Sequence, residues 1–344
     1  MIETLPIEAV AALFAALAGM IAWAGTRLTR IADILADRTG LGEAVAGGIL
    51  LGMATSLSGT VVSLTAALDG RASLAFANGI GGIAAQTAFL ALGDLVYRRA
   101  NLEHAAADIV SLFQAALLLL LLAVPLIAHA GPEVSLWSVH PASLAIVVIY
   151  AVGTRTAARV RTGAMWRPVL THLTRADVEE PESPDAPATA SLFLTFAGLA
   201  AVLAVSGYLL AQAGGRIADA TGLTETAVGA LLTAVATSLP ELVTTLAAVR
   251  RGAVQLAVGG IIGGNSFDVL FVVLSDVAYR EGSIYHAIGP GELFWLAVGQ
   301  AMTAVLLIGL IVRERKGPAS IGLESVLLLA IYAGAVALQA AFIA

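Results

Sequence analysis

Glu241 stands directly after Pro240 in the stretch ATSLPELVTT, residues 236–245, inside a long apolar run. An ionisable side chain that persists in such surroundings is expensive, and by default it is a binding group turned to the protein interior. A proline within a helix also removes one N–H, which would free the carbonyl of Ala236 four residues back. Thr233, Thr237, Glu241 and Thr244 or Thr245 recur at helical spacing, so hydroxyls and a carboxylate share one face. Carboxylate, hydroxyl and free carbonyl oxygens suit a hard cation such as Ca²⁺, which takes about six to eight oxygen ligands. A second acid follows in GGIIGGNSFDVLF, residues 259–271, where Gly260, Gly264 and Asp268 share a face and Asn265 lies close by. Glycine pairs 259/263 and 260/264 would let helices cross closely, which predicts that Glu241 and Asp268 converge.

The elements that must position these acids are membrane-spanning helices. The 344 residues are 59% hydrophobic and 12% charged, with a mean hydropathy of +0.91, outside the range of a soluble domain. Apolar runs long enough to cross about 30 Å of hydrocarbon recur at 5–24, 41–68, 72–97, 105–130, 139–160, 191–213, 222–249, 253–279, 287–312 and 320–343. The reading is an all-α integral membrane protein of ten transmembrane helices. The first run lacks a basic leader and a cleavage site, so it stays as a helix. Of the 18 basic residues, 15 fall in alternate connections, and only Arg71, Arg216 and Arg280 lie on the other side. By the positive-inside rule both termini are placed outside the cytoplasm, in the plasma (inner) membrane of the cell. There is no cysteine, which excludes disulfides and thiolate metal sites.

The sequence is also a duplication. Shifted by 182 residues, 54–98 aligns without a gap on 236–280 with 18 identities in 45 positions, and TGLGE at 39–43 meets TGLTE at 221–225. Five helices per half is an odd number, so the second copy enters the membrane from the opposite side. Such inverted repeats belong to secondary transporters, whose ion sites lie where the two copies face each other. The domains are then a first five-helix repeat, 1–160, a cytoplasmic linker, 161–190, and a second inverted repeat, 191–344. The linker's VEEPESPDAPATA run cannot pack a core.

TSLPEL on one helix followed by GGNSFDVLF on the next resembles the second α-repeat of the sodium/calcium exchangers and their cation/proton relatives, the calcium:cation antiporter superfamily. The resemblance extends over both repeats and implies a ten-helix exchanger fold. It further implies that Thr237, Ser238, Glu241 and Asp268, with Thr55, Ser56 and Gln86 from the first repeat, bind the transported cations. The first repeat is a degenerate copy, because Gly59 and Ser58 replace the family's glutamate and proline. Gly82 and Gly264 replace serines, and Ile83 replaces an asparagine, although Asn78 is nearby. Glu241 and Asp268 would therefore be the only deep acids, flanked by hydroxyls of Thr55, Ser56, Ser58 and Thr60 and by the Gln86 amide. Two carboxylates can neutralise one divalent ion but not several Na⁺ ions besides, and without metal they would compete for protons.

The expected activity is antiport of Ca²⁺ or a similar cation against Na⁺ or H⁺ by alternating access, without enzymatic chemistry. Its expected partners are the lipid bilayer and small inorganic cations, with no nucleic acid and no cofactor beyond the transported Ca²⁺, Na⁺ or H⁺. The alternatives are a monovalent cation/proton antiporter or a degenerate, non-transporting paralogue. An intramembrane aspartyl protease would need Asp94 and Asp276, which the helix order puts on opposite membrane faces. These two are expected to cap or pair at helix ends. His104, His129, His140, His172 and His286 show no metal-ligand spacing, and Glu43 and Glu225 are expected to favour the N-termini of their helices.

Overall fold

The computed structural model describes residues 2–39, 55–175, 189–315, 317 and 321–341. After a short 3₁₀ turn, Ile2–Thr4, the described chain is built from α-helices: α1 Ile7–Thr39, α2 Leu57–Leu68, α3 Ala72–Tyr97, α4 Leu102–Ala105, α5 Ile109–Ala130, α6 Pro141–Gly163 and α7 Thr189–Thr221. Then follow α8, Glu225–Thr237, α9, Leu239–Arg251, α10, Val254–Ala278, α11, Ile284–Ala287, α12, Pro290–Val312, and α13, Leu323–Ala341. Seven of these helices are long and apolar enough to cross a membrane, and the bent pair α8/α9 makes an eighth. Leu57–Leu68 and Leu323–Gln339 are shorter apolar helices. Residues 41–54 of the expected second span, Glu43 and the acidic part of the expected linker lie outside the described residues.

The duplication is visible in the element order. Each described helix of one half has a counterpart 182 residues on, the separation that also divides Gln86 from Asp268. α1 pairs in this way with α7, α3 with α10, and the four-residue α4 with α11. Gly70 and Gly252, at φ +77° and +87°, make the same left-handed turn after α2 and after α9, a conformation glycine adopts at little cost.

Position in the bundle follows from composition. The most apolar stretch of α3 is 83% buried, whereas those of α1 and α6 are 22% buried. α3 carries Asn78, Gln86 and Asp94 among small residues and packs against α2, α8, α9, α10, α12 and α13. Its partner α10 lies across it, while α1 and α7 pack on each other at the periphery with their apolar residues outward. Where lipid replaces water, tight packing of small residues takes over much of the work of the hydrophobic effect.

The glycines that bring backbones together are not the pairs expected at 259/263 and 260/264. A Cβ on Gly260 would meet nothing within 4 Å, and those on Gly259 and Gly263 would touch only the ends of Ser111 and Gln114. Close approach occurs instead at Gly81, whose Cβ would lie 2.5 Å from Ala230 Cα, and at Gly207, 2.8 Å from the Ser58 carbonyl. The spacing rule identifies surfaces that can approach, but which surface meets a neighbour depends on how the whole bundle is rotated.

Candidate functional site

α8 and α9 interrupt what the sequence suggests is one helix. Residues Val228–Thr233 form a π-helical segment, and the chain breaks at Ser238, whose N–H donates to the carbonyls of Ala234 at 3.1 Å and Val235 at 3.2 Å. The two segments meet at 47°. Pro240 therefore sits in the first turn of α9, where its missing N–H costs no hydrogen bond. Glu241 follows in that same turn, at the electropositive end of the helix. This corrects the single polar stripe expected from uniform helical spacing. Thr233, Thr237 and Thr244 return their hydroxyls to carbonyls of their own segments, at 2.9–3.0 Å for the shorter bond of each.

At the break, residues of both copies meet. Gln86 on α3 donates from Nε2 to Asp268 Oδ2 on α10 at 2.7 Å and to Ser238 Oγ at 3.1 Å. Ser56 Oγ donates to the other Asp268 oxygen at 2.5 Å. Thr55 hydrogen-bonds to Glu241, and Asp268 lies close enough to act electrostatically on the same carboxylate. All six of these side chains are buried. The pairing crosses the duplication: Ser56 with Asp268 matches Ser238 with Gln86, each residue exchanged for its counterpart. Asn265 follows the same rule, since its amide reaches its counterpart Ile83 at the carbonyl, 3.5 Å, and Thr87 Oγ1 at 3.0 Å.

The counterpart of the Thr55–Glu241 pair is Thr237–Gly59, and here the two copies part. Thr237 Oγ1 is 3.6 Å from where a Cβ of Gly59 would stand, so the threonine is in place while its acid is missing. The Phe271 ring fills that space, with one ring carbon only 2.7 Å from the same point. Phe271 also covers Gly79 at 3.3 Å. Asn78 reaches over the Gly59 carbonyl at 3.1 Å and Ser63 Oγ at 2.9 Å.

Of the residues expected to bind cations, Thr55, Ser56, Gln86, Ser238, Glu241 and Asp268 gather in one cluster, and Thr237 stands on its Gly59 side. Ser58 and Thr60 do not join the acids. Ser58 Oγ points to the Thr237 carbonyl at 3.5 Å, and Thr60 Oγ1 bonds back to the Ser56 carbonyl at 2.8 Å. Phe271 was not singled out from the sequence, though it follows Asp268 by three residues and so points to the same side. Tyr150, within electrostatic reach of Asp268, carried no sequence signal, because α6 is far away along the chain.

The cluster has an excess of acceptors. Glu241 Oε2, Gln86 Oε1 and Asn265 Oδ1 are buried and have no hydrogen-bond donor. Unpaired buried polar atoms are rare and costly, and oxygens in this state beside two carboxylates can take a cation or a proton. Gly82 and Gly264 border the cluster, where a Cβ would stand in ordinary contact with Ser238 Oγ at 3.5 Å and Gln86 Oε1 at 3.7 Å, respectively.

Asp94 and Asp276 do cap chain ends. Asp94 accepts the N–H groups of Leu102 and Gly322, both at 2.8 Å, and Asp276 those of Ile284 at 3.2 Å and His140 at 2.8 Å. Glu225 pairs with Arg71 at 2.8 Å, next to the Arg71–Asp219 bridge at 2.6 Å. His129, His140 and His286 come together around Tyr285. Among the described residues no group of three or more His, Asp or Glu is arranged to hold a metal.

A family model described as sodium/calcium exchanger protein matches residues 9–156 and 191–341. A search of curated proteins found no match. Among solved structures, the sodium-calcium exchanger NCX_Mj soaked with 100 mM Na⁺ and 10 mM Sr²⁺ is 17% identical, with a TM-score of 0.59 and coverage of 96% of this chain and 99% of that one. Native YfkE is 14% identical, with a TM-score of 0.66 and coverage of 96% and 91%. At these identities the likeness of the structures is one of fold.

Proposed function

Because the chain belongs to the sodium/calcium exchanger protein family, and is with it a membrane cation antiporter, we propose that it exchanges Ca²⁺ or a similar cation for Na⁺ or H⁺ by alternating access. The observation that carries this reading is the cluster of unpartnered oxygens, Glu241 Oε2 and Gln86 Oε1, next to Asp268. In this proposal Glu241 and Asp268 supply the charge. Thr55, Ser56, Thr237, Ser238 and Gln86 supply neutral oxygens, and the two carboxylates balance one divalent ion. When that ion leaves, the acids are left uncompensated in a poorly polar surround, so protons or Na⁺ must replace it. This requirement couples the two fluxes.

The proposed frame has ten spans as two inverted five-helix repeats, 1–160 and 191–344, joined by a cytoplasmic linker over 161–190, in the plasma membrane with both termini outside. Rocking of one copy against the other would expose the shared cluster to either side in turn. The crosswise bonds between counterparts support this, because a site on the relation axis has similar walls toward both copies.

Gradient-driven ⁴⁵Ca²⁺ uptake into proteoliposomes tests the reading, with Glu241→Gln as the comparison. Removing one of two ligand charges is expected to cut uptake roughly tenfold or more, tenfold corresponding to about 1.4 kcal/mol. Uptake that survives the substitution would falsify the assignment of the carboxylate. Gly59, with Phe271 packed over it, favours a second reading, a monovalent cation/proton antiporter, since one side then lacks an acid. Transport that follows Na⁺ or pH and ignores Ca²⁺ would decide for that reading.

A further inference from the structure

Far along α3 from the cation cluster, a second set of carboxyl groups is buried. Asp94 is saturated there by two backbone N–H groups. Beside it Glu103, on α4, is 0% exposed, and neither of its carboxyl oxygens has a donor. Glu324, in the first turn of α13, is 7% exposed and its Oε1 also lacks a donor. The two glutamates follow Leu102 and Gly322, whose N–H groups Asp94 accepts, and lie close enough to act on each other electrostatically. Two ionised carboxylates have no hydrogen to place between them. A bond between these two groups therefore requires a proton.

The duplication shows that the fold does not need carboxyls here. At the other end of the molecule the same backbone arrangement holds Asp276, with Ile284 and His140 as counterparts of Leu102 and Gly322. In the places of Glu103 and Glu324 stand Tyr285 and Ala142. There the Tyr285 hydroxyl bonds Ser143 Oγ at 2.8 Å, and Ser143 donates to Asp276 at 2.6 Å. One end is closed by neutral groups, and the other carries an added pair of acids.

The charged groups around the pair are engaged elsewhere. His104 on α4 turns Nδ1 to the Arg313 carbonyl at 2.8 Å and Nε2 to Thr171 at 2.9 Å. Arg313, after α12, donates to the carbonyls of Val169 and His104 and to Thr174. Glu314 accepts the Leu323 N–H at 3.4 Å. Asn101 Oδ1 accepts the Gly317 N–H, and its Nδ2 lies with Glu324 Oε1 around Gly322, 3.1 and 2.7 Å from the Cβ position. Among the described residues neither glutamate has a basic partner, and the acids are not arranged to hold a metal.

We propose that Glu103 and Glu324 form a proton-binding site, a carboxyl–carboxylate pair sharing one proton, whose emptying loosens the junction of α3, α4 and α13. Burial, and then the charges of Glu324 and Asp94, hold the Glu103 carboxyl well above the usual carboxylate range. The folded protein thus binds a proton that the unfolded chain releases near pH ~4.3. Stability conferred by the bound proton is complete below that pH and declines as pH rises toward the folded-state value. Since α3 also carries Gln86, bonded to Asp268, emptying the site is expected to slow transport. Only this last consequence rests on the antiport reading.

The test compares the full-length protein with Glu103→Gln and with the double variant Glu103→Tyr/Glu324→Ala, which copies the neutral arrangement around Asp276. In detergent at neutral pH, the wild type is expected to show a protonated-carboxyl infrared band that both variants lose. Its melting temperature should fall as pH rises above ~5, with a slope that both variants flatten. An unchanged infrared spectrum together with an unchanged slope in the double variant overturns the site. Glu241 and Asp268 are unchanged in both variants, so any proton they hold contributes alike to all three proteins, and only the differences in band and slope read Glu103 and Glu324. Failure here is therefore distinct from failure of the antiport reading. In proteoliposomes with pH set separately on each side, transport by the double variant should depend less on pH at this end than transport by the wild type. If that dependence stays undiminished while the band is lost, the proton site stands and its link to transport falls.

Discussion

Gly59 and Phe271 decide how much charge the buried cluster around Asp268 can hold. The counterpart of Gly59 is Glu241, and the ring of Phe271 occupies the volume that a side chain at 59 would need. Gly59→Glu alone is expected to destabilise the protein by about 1–3 kcal/mol, the usual cost of overpacking, read as a fall in melting temperature in detergent. Adding Phe271→Ala opens the volume and should recover part of that loss, a coupling a double-mutant cycle measures. The double variant gains a third carboxylate opposite Glu241, so its Ca²⁺ affinity should exceed that of Phe271→Ala alone by isothermal titration. Strict additivity of the two substitutions would show that ring and missing acid do not share one space. Glu241 and Asp268 were legible from the sequence because an acid in an apolar run needs a reason. Phe271 was not, because an aromatic residue in such a run is unremarkable until its neighbour is known.

Helices act here through the backbone surfaces they present. Gly81 faces Ala230 at a distance that admits no side chain, whereas Gly260 faces open space. Gly81→Ala is accordingly expected to lower the melting temperature clearly, with a cost of about 1–3 kcal/mol. Gly260→Ala should be neutral or gain up to ~1 kcal/mol from helix propensity. Equal tolerance at both positions would contradict the packing of α3 on α8. The broken span makes the same point. Sequence reading finds Pro240 and expects a carbonyl freed within one helix, but the chain ends α8 at Thr237 and starts α9 at Leu239. A proline tells where a helix can be interrupted; the π segment and the neighbours α1 and α3 fix how it turns.

At the level of the whole molecule, the two copies are tied at one end by Arg71, which reaches from the turn before α3 to Asp219 on α7 and Glu225 on α8. The hydrogen bond to Asp219, and then the charges of Asp219 and Glu225, hold the guanidinium above its already high ordinary range against the opposing effect of burial, so it stays charged at any working pH. With its side chain 27% exposed, the pair is partly screened, and Arg71→Ala is expected to cost no more than about 1 kcal/mol. That loss should shrink in high salt, which melting curves at two ionic strengths would reveal. Orientation can be tested cleanly because the chain has no cysteine of its own. Trp137→Cys and Met165→Cys, both at strongly exposed positions, should react with an impermeant maleimide from opposite sides of the membrane, Trp137→Cys from outside. Labelling of both from one side would refute the proposed topology.

Composition and the 182-residue repeat by themselves determined that this chain is a helical membrane protein made of two like halves, because the cost of exposing peptide groups to lipid leaves few other structures. They also picked out Glu241 and Asp268, since burying an acid is costly wherever the helix lies. Only the tertiary structure decided that Gln86 and Asp268 meet their counterparts across the repeat, that Phe271 takes the place of a missing acid, and that Glu103 faces Glu324. These are contacts between surfaces remote in sequence. They depend on helix rotation and on a break in one span, which spacing along a single helix does not encode.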